Sequence, residues 1–264
     1  MASLDQEVAF AVETAEAAGA LILSHYEPFP SGAVRMKGLR DPVTAADLAA
    51  ERLIVGAIRE RWPGTAIFAE EETQDPDSQG LTWYVDPIDG TVNFSQSHPF
   101  FAVSIALYDG DEPLVGVVHA PRLGETFAAA AGRGATLNGQ PLAVSAKEAL
   151  IDSVLATGFA YKRHELADNN VAQFDHFVLR VRGMRRCGSA ALDLAYTAAG
   201  RLDGYWEPHL NPFDVAAGAL LVREAGGQVS DMAGATRWLH GGSIVAANPA
   251  LHGAILDGLR TAAP

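Results

Sequence analysis

Cysteine is almost missing from this chain: Cys187 is the only one among 264 residues. No internal disulfide can form, so stability must come from a packed core. A lone thiol reads first as a small buried apolar side chain and only second as a reactive group. The eight histidines are scattered, with no His-x-x-x-His pair and no cysteine partner, which argues against a zinc site. No apolar run approaches the roughly 20 residues that a membrane-spanning helix needs. Basic residues are also scarce, with 19 Lys and Arg against 32 Asp and Glu, a formal net charge of −13. Such a surface repels nucleic acid and anionic membranes, and neither is expected as a partner. It would equally repel a phosphate ester, unless bound cations invert the local field. The N-terminal stretch carries Asp5, Glu7, Glu13 and Glu16 and no basic residue, unlike a secretory or transit signal. The expectation is a soluble cytoplasmic protein.

What is present suffices for a large core, since 48% of the residues are hydrophobic. Leu4, Val8, Val12, Ala15, Gly19, Ile22 and Tyr26 recur at helical spacing. They predict an amphipathic helix of about seven turns, which Pro28 and Pro30 end. Residues 31–42 carry Gly, Lys and Arg without periodicity and read as a mobile loop. A second helix is predicted from Thr44 to Arg61, stopped by Pro63-Gly64. Strands are predicted at 65–69, 82–85, 101–108, 114–120, 126–131 and 135–144, the last bent at Asn138-Gly139. Beyond residue 152 the pattern alternates. Strands at 153–157, 204–207, 228–231 and 244–247 are interleaved with helices at 168–180, 189–199, 213–225 and 250–260. The fold class is therefore mixed α/β. An antiparallel-rich N-terminal lobe, residues 1–148, precedes an alternating C-terminal lobe, residues 149–264.

The chemistry concentrates in Trp83-Tyr84-Val85-Asp86-Pro87-Ile88-Asp89-Gly90-Thr91-Val92-Asn93-Phe94. A strand-like stretch ends at Val85, and Asp86 and Asp89 then place two carboxylates on one tight turn. Such a turn binds hard cations through oxygen, and the Ile88 carbonyl can add another ligand. A helix starting at Gly90-Thr91 would offer free N–H groups to a phosphate. Helix capping by the Asp-Pro turn explains the same residues without any function. Glu70-Glu71-Glu72 ends another apolar strand, as a solvated loop entry or as metal ligands. Asp214 follows Asn211-Pro212-Phe213, where it can cap a helix or ligate. Thr44-x-x-Asp47 matches a helix start, and Asp47 can alternatively accept a hydroxyl proton. Glu70, Asp86, Asp89 and Asp214 all fall at strand ends or helix starts, where side chains can converge. Converging carboxylates cannot all stay ionised without cations. An oxygen-only ligand set points to magnesium or manganese.

These motifs resemble the inositol monophosphatase family over nearly the whole chain. The run Trp83 to Phe94 matches the family's Trp-x-x-Asp-Pro-Ile/Leu-Asp-Gly-Thr-x-Asn-Phe motif at every fixed position. Phe213-Asp214-Val215-Ala216-Ala217-Gly218 matches its second signature, with Phe213 in place of Trp, and Asp41 to Asp47 its Asp-x-Val-Thr-x-x-Asp pattern. Ala69-Glu70-Glu71 stands where the family has Gly-Glu-Glu, a harmless change in ordinary strand and a crowded one at positive φ. The resemblance implies a layered α-β-α-β-α fold, a homodimer, and lithium-sensitive, magnesium-dependent hydrolysis of a polyol or sugar phosphate with two or three ions. Carried over by position, Glu70, Asp86 and the Ile88 carbonyl hold one metal, and Asp86, Asp89 and Asp214 a second. Glu70 faces a weaker third. Thr91 and Asp47 orient the attacking water. Asp89, Asp214 and the Gly90 and Thr91 amides face the phosphate ester, while Gly188, Ser189, Ala190 and Glu207 line the polyol pocket. Fructose 1,6-bisphosphatase, histidinol-phosphate phosphatase and 3′-phosphoadenosine phosphatase relatives share the metal motifs. A bisphosphate would need a second basic site, for which Lys162, Arg163, Arg185 and Arg186 are candidates. A metal-stabilised partner of the transcription machinery is the reading from outside enzymology.

Overall fold

The computed structural model describes residues 4–26, 34–38, 41–75 and 80–262. The seven helices described are α1 (Asp5–Leu23), α2 (Ala45–Arg61), α3 (Thr91–Ser95), α4 (Val171–Val178), α5 (Ala190–Ala198), α6 (Pro212–Glu224) and α7 (Pro249–Ala262). Three sheets accompany them. The largest joins β3 (Ala66–Ala69), β4 (Leu81–Asp89), β5 (Ala102–Asp109), β6 (Glu112–Ala120), β7 (Glu125–Ala130), β8 (Ala135–Leu137) and β9 (Gln140–Pro141) in chain order. Only the β3–β4 pair in it is parallel. The second joins β10 (Val154–Thr157), β11 (Gly183–Arg185), β12 (Gly204–Pro208), β13 (Gln228–Ser230) and β14 (Ser243–Ala247) in the order β11-β10-β12-β14-β13. The third is the pair β1 (Val34–Gly38) and β2 (Asp41–Thr44).

The layers run α-β-α-β-α. Helices α1 and α2 bury Ala15, Ile22, Ile54 and Ile58 against Trp83, Val103 and Val117 on one face of the large sheet. Helices α5 and α6 lie between the sheets and share one core with Tyr108, Phe127, Tyr205 and Ala246. Helices α4 and α7 close the far face, around Phe177, Trp206 and Ile255. Helix α6 is apolar all round, with nine of its residues buried from Phe213 to Val222, as expected of a helix with sheet on both sides.

Four expectations need correction. Helix α1 stops at Leu23, and residues 24–26 tighten into i→i+3 bonds such as His25 N–H to the Ile22 carbonyl (3.0 Å). Pro28 and Pro30 lie outside the described residues. The stretch 31–42 is not simply a loop, because 34–38 and 41–44 pair as β1 and β2 through backbone bonds that need no apolar periodicity. Strand β11, made of Gly183, Met184 and Arg185, escaped prediction because three residues show no period. Asp86 and Asp89 do not sit on a turn after a strand: β4 runs on to Asp89 through a bulge.

Two side chains of β5 tie the large sheet to α6. Tyr108 donates its hydroxyl to the Ala216 carbonyl (2.8 Å), and Ser104 donates to that of Phe213 (3.3 Å). Both are buried and four residues apart, hence on the same sheet face. Replacing Tyr108 by Phe should lower unfolding stability by about 1 kcal/mol, because it removes a buried hydrogen bond and leaves the ring in place. Urea denaturation of the full chain measures it.

Candidate metal and phosphate site

In a regular strand, residues three apart point to opposite faces. Asp86 and Asp89 escape this rule because the register jumps from Asp86 opposite Ser104 to Asp89 opposite Ala102. The extra residue re-aims the second carboxylate to the side of the first. Pro87, which lacks an N–H, fits such a bulge inside a central strand. Gly90 follows at φ +101°, where a Cβ would also stand about 3.1 Å from the Phe100 carbonyl oxygen. Only glycine takes that conformation without strain. Thr91 then opens α3, a single turn of five residues. So short a helix has little dipole, and any pull on a phosphate there comes from local N–H groups.

Four carboxylates meet at this point from three chain segments. Asp86 is buried and hydrogen-bonds Glu70, and the charges of Glu70, Asp89 and Asp214 all bear on it. Burial, then those neighbours, push the Asp86 carboxyl well above the usual range. Asp214 is raised too, by burial first and by Asp89 next. Asp89 is pushed up to about 6 by burial, against the lowering effect of its hydrogen bonds. Its Oδ2 accepts from Ser189 Oγ and from the Ala191 amide, both at 2.6 Å. Asp214 Oδ2 accepts from the Asn211 amide at 2.7 Å, so its helix-capping role is realised. Among the described residues no three acidic, histidine or cysteine side chains already form a finished metal cage. One oxygen each of Asp89 and Asp214 is turned to protein donors. The donor chemistry nonetheless fits a hard divalent cation. Every group is an oxygen, and Asp86 Oδ1 is buried with no hydrogen-bond partner.

Asp47 and Thr91, 44 residues apart, are brought together. Thr91 shares its hydroxyl proton between Asp47 Oδ1 (3.1 Å) and the Ile88 carbonyl (3.0 Å). Asp47 Oδ2 accepts from the Thr44 amide (2.8 Å) and hydroxyl (2.5 Å), so it also caps α2. Burial raises its carboxyl in spite of these bonds. The Ile88 carbonyl thus serves Thr91 here and keeps one lone pair.

Glu70, Asp86, Ile88, Asp89, Gly90, Thr91, Gly188, Ser189, Ala190, Glu207 and Asp214 all line one cleft of about 180 Å³. Asp47 stands behind Thr91. Tyr205 donates its hydroxyl to Glu207, whose carboxyl burial pushes up to about 7. Three residues that sequence reasoning passed over belong here. Gly158 leaves room for Glu207, since a Cβ there would fall within 1.9 Å of its carboxylate. Asp193 lies buried four residues after Ser189, a helical spacing that could have revealed it. Glu51, described below, is one helical turn beyond Asp47. Of the basic candidates only Arg186 lines the cleft, where its charge acts on Asp89, Asp193 and Glu207. Ala69 sits in ordinary strand geometry and is accommodated. Phe213 stacks on Phe68 with centroids 5.9 Å apart, keeping an aromatic at that position. Asn93 acts as a tie, its amide donating to the Phe100 and Cys187 carbonyls.

The chain matches the inositol monophosphatase family over residues 3–262. It belongs to that family. It is 46% identical to an inositol-1-monophosphatase of Synechocystis, over 92% of this chain and 84% of the other. It is 43% identical to the Nus factor SuhB of Escherichia coli K12, over 95% and 94%. Among solved structures, an inositol monophosphatase from Anabaena superposes with a TM-score of 0.90 at 40% identity, covering 99% and 97%. The extragenic suppressor protein suhB of Bartonella henselae gives 0.90 at 37%, covering 98% and 99%. No helix of the described residues is long and apolar enough to cross a membrane.

Raised carboxyl pKa values have a stability consequence of definite sign. Glu207, at about 7, and Asp86 and Asp214, both raised well above the ordinary carboxylate range, bind more protons folded than unfolded. Stability of the metal-free protein should therefore fall as pH rises from 6.5 to 8. His119 and His252, lowered by burial, oppose this trend near pH 6.5, where the unfolded chain still takes up protons at them, but by no more than about 0.4 kcal/mol each. Added Mg²⁺ or Mn²⁺ should raise the melting temperature more at pH 8 than at pH 6.5, because binding must displace the shared protons. Thermal scans at both pH values check both signs.

Proposed function

We propose that this protein is a magnesium-dependent phosphatase acting on inositol 1-phosphate or a similar polyol monophosphate. The observation that carries the reading is the cluster of Glu70, Asp86, Asp89 and Asp214, mutually repelling and partly buried, with an unpartnered Asp86 oxygen inside it. Glu70, Asp86 and the Ile88 carbonyl would hold one cation, Asp86, Asp89 and Asp214 another, with Glu70 beside a weaker third. When bound, Mg²⁺, or Mn²⁺ in its place, supplies charge neutralisation for the ester and acidifies the water that attacks it.

The protein's own groups do the rest. Asp47 accepts from the Thr91 hydroxyl, which leaves the Thr91 oxygen lone pairs aimed away from it to accept a hydrogen bond from, and so orient, the attacking water. The Gly90 and Thr91 amides face the ester oxygens. Glu207, held by Tyr205 and given room by Gly158, accepts from a polyol hydroxyl, with Gly188, Ser189 and Ala190 shaping the wall. The cleft is smaller than the roughly 300–1,000 Å³ of a drug-sized site, which suits a small substrate. Among the described residues its one lysine or arginine, Arg186, is already opposed by three acids, so a monophosphate suits it better than a bisphosphate. We place the protein in the cytoplasm as a homodimer, free of nucleic acid and membrane. Sedimentation should give twice the chain mass.

Phosphate release from inositol 1-phosphate should require Mg²⁺, be inhibited by lithium, and exceed that from fructose 1,6-bisphosphate, histidinol phosphate and 3′-phosphoadenosine phosphates in kcat/KM. Asp89→Asn should lower kcat by about 10²-fold or more, the scale of losing one charge-stabilising group. No turnover of any polyol phosphate at saturating Mg²⁺ rejects the proposal. A second reading, association with the transcription machinery, draws on the relatives named Nus factors. A cellular phenotype that survives Asp89→Asn would favour it.

A further inference from the structure

Glu51 is 1% exposed. Its compensation is backbone. Oε2 accepts from the Glu71 amide at 2.6 Å, and Oε1 accepts from those of Glu72 (2.8 Å) and Thr73 (2.9 Å). These three amides belong to one reversal of the chain. The Ala69 amide donates to the Thr73 carbonyl (2.7 Å), Phe68 bridges Gln74, and the Asp75 amide donates to the Ile67 carbonyl (2.9 Å). Residues 70–72 form the tip of that reversal, and Glu70 is its first residue. On the other side the Glu70 amide donates to the Val85 carbonyl (3.2 Å), next to Asp86. Outside, Arg52 forks onto Glu72 with bonds of 2.9 and 2.8 Å. That pair is exposed and holds weakly by itself.

A neutral side chain in place of Glu51 would satisfy fewer of the three donors. A carboxylate satisfies all three with charge-assisted bonds, which are roughly twice as strong as neutral ones. The cost is a buried carboxylate on the loop that carries Glu70, which is a poor choice for stability alone. It is a good choice if the tip must be stiff and its surroundings negative. Asp47, four residues earlier on the same helix face, already holds Thr91.

We infer that Glu51 is a positioning residue: from α2 its carboxylate fixes the tip that carries Glu70 and thereby sets the affinity of the acidic cluster for divalent cations. The inference rests on the metal-site reading proposed above. Hydrogen-bonding partners of metal ligands typically matter by about 10–100-fold in affinity.

Isothermal titration of the full-length protein with Mn²⁺ tests it without reference to turnover. Glu51→Gln keeps the shape and places an amide NH₂ against N–H donors. Its dissociation constant for Mn²⁺ should rise about tenfold. In assays the Mg²⁺ concentration for half-maximal activity should rise by the same factor, while KM for the substrate stays put. A destabilised fold alone would not produce that split. Unchanged Mn²⁺ affinity in a folded Glu51→Gln protein overturns the inference and leaves the phosphatase reading standing. Absence of Mn²⁺ binding to the unaltered protein overturns both. If Glu51→Gln does not fold, Glu51→Asp, which keeps the charge and shortens its reach by one methylene, decides: weaker Mn²⁺ binding supports the inference and equal binding overturns it.

Discussion

Mutual repulsion among carboxylates is the constraint on which the rest of this structure depends. Two like charges about 4 Å apart at an effective dielectric of 20 repel by roughly 4 kcal/mol. A domain has only about 5–15 kcal/mol of net stability to oppose such terms. Burial, with neighbouring charge at Asp86 and Asp214, raises the carboxyls of Asp86, Asp89 and Asp214, which eases the problem by favouring their neutral forms. Asp89 and Asp214 also meet it by turning oxygens toward Ser189, the Ala191 amide and the Asn211 amide. The same groups that destabilise the cleft in isolation are those a hard cation would gather. Affinity for the cation and cost to the fold are one quantity with opposite signs.

Convergence on that scale demands rigid delivery, and three devices supply it. The bulge in β4 turns Asp89 to the side of Asp86. The ties from Ser104 and Tyr108 press the start of α6, and with it Asp214, against the large sheet. The second turn of α2 holds the tip bearing Glu70. The last two are backbone-directed bonds from buried side chains that do not line the cleft. Positional accuracy here comes from hydrogen bonds to carbonyls and amides, with apolar packing of α6 supplying the cohesion behind them.

Much of this was legible in the chain, and the limits of legibility were physical. Long elements with a clear period, α2 and the β5–β6 hairpin, fall within one or two residues of their predicted bounds. The run from Trp83 to Phe94 marked the site because its carboxylates and its Pro and Gly are adjacent in sequence. The bulge was hidden because register is a relation to β5, which no local pattern records. The β1–β2 pair was hidden because its backbone bonds do not require alternating side chains. Glu51 was hidden by its type. An acid on a helix reads as solvent-facing, and only the fold of residues 67–75 encloses it.

Asp47 and Glu51 together change how α2 is understood. By periodicity it is an ordinary amphipathic helix whose Ile54 and Ile58 face the large sheet. Its first two turns carry two buried acids, each spent on a different loop of the cleft: one on Thr91, the other on the amides of residues 71–73. Because both are on one rigid rod, the Thr91 hydroxyl and the Glu70 tip cannot drift independently. A displacement of α2 would move the Asp47–Thr91 pair and Glu70 together. The apolar half of the helix, packed without polar groups, is what prevents that displacement. The hydrophobic core under α2 is therefore part of the geometry of the cleft, and Ile88 belongs to both.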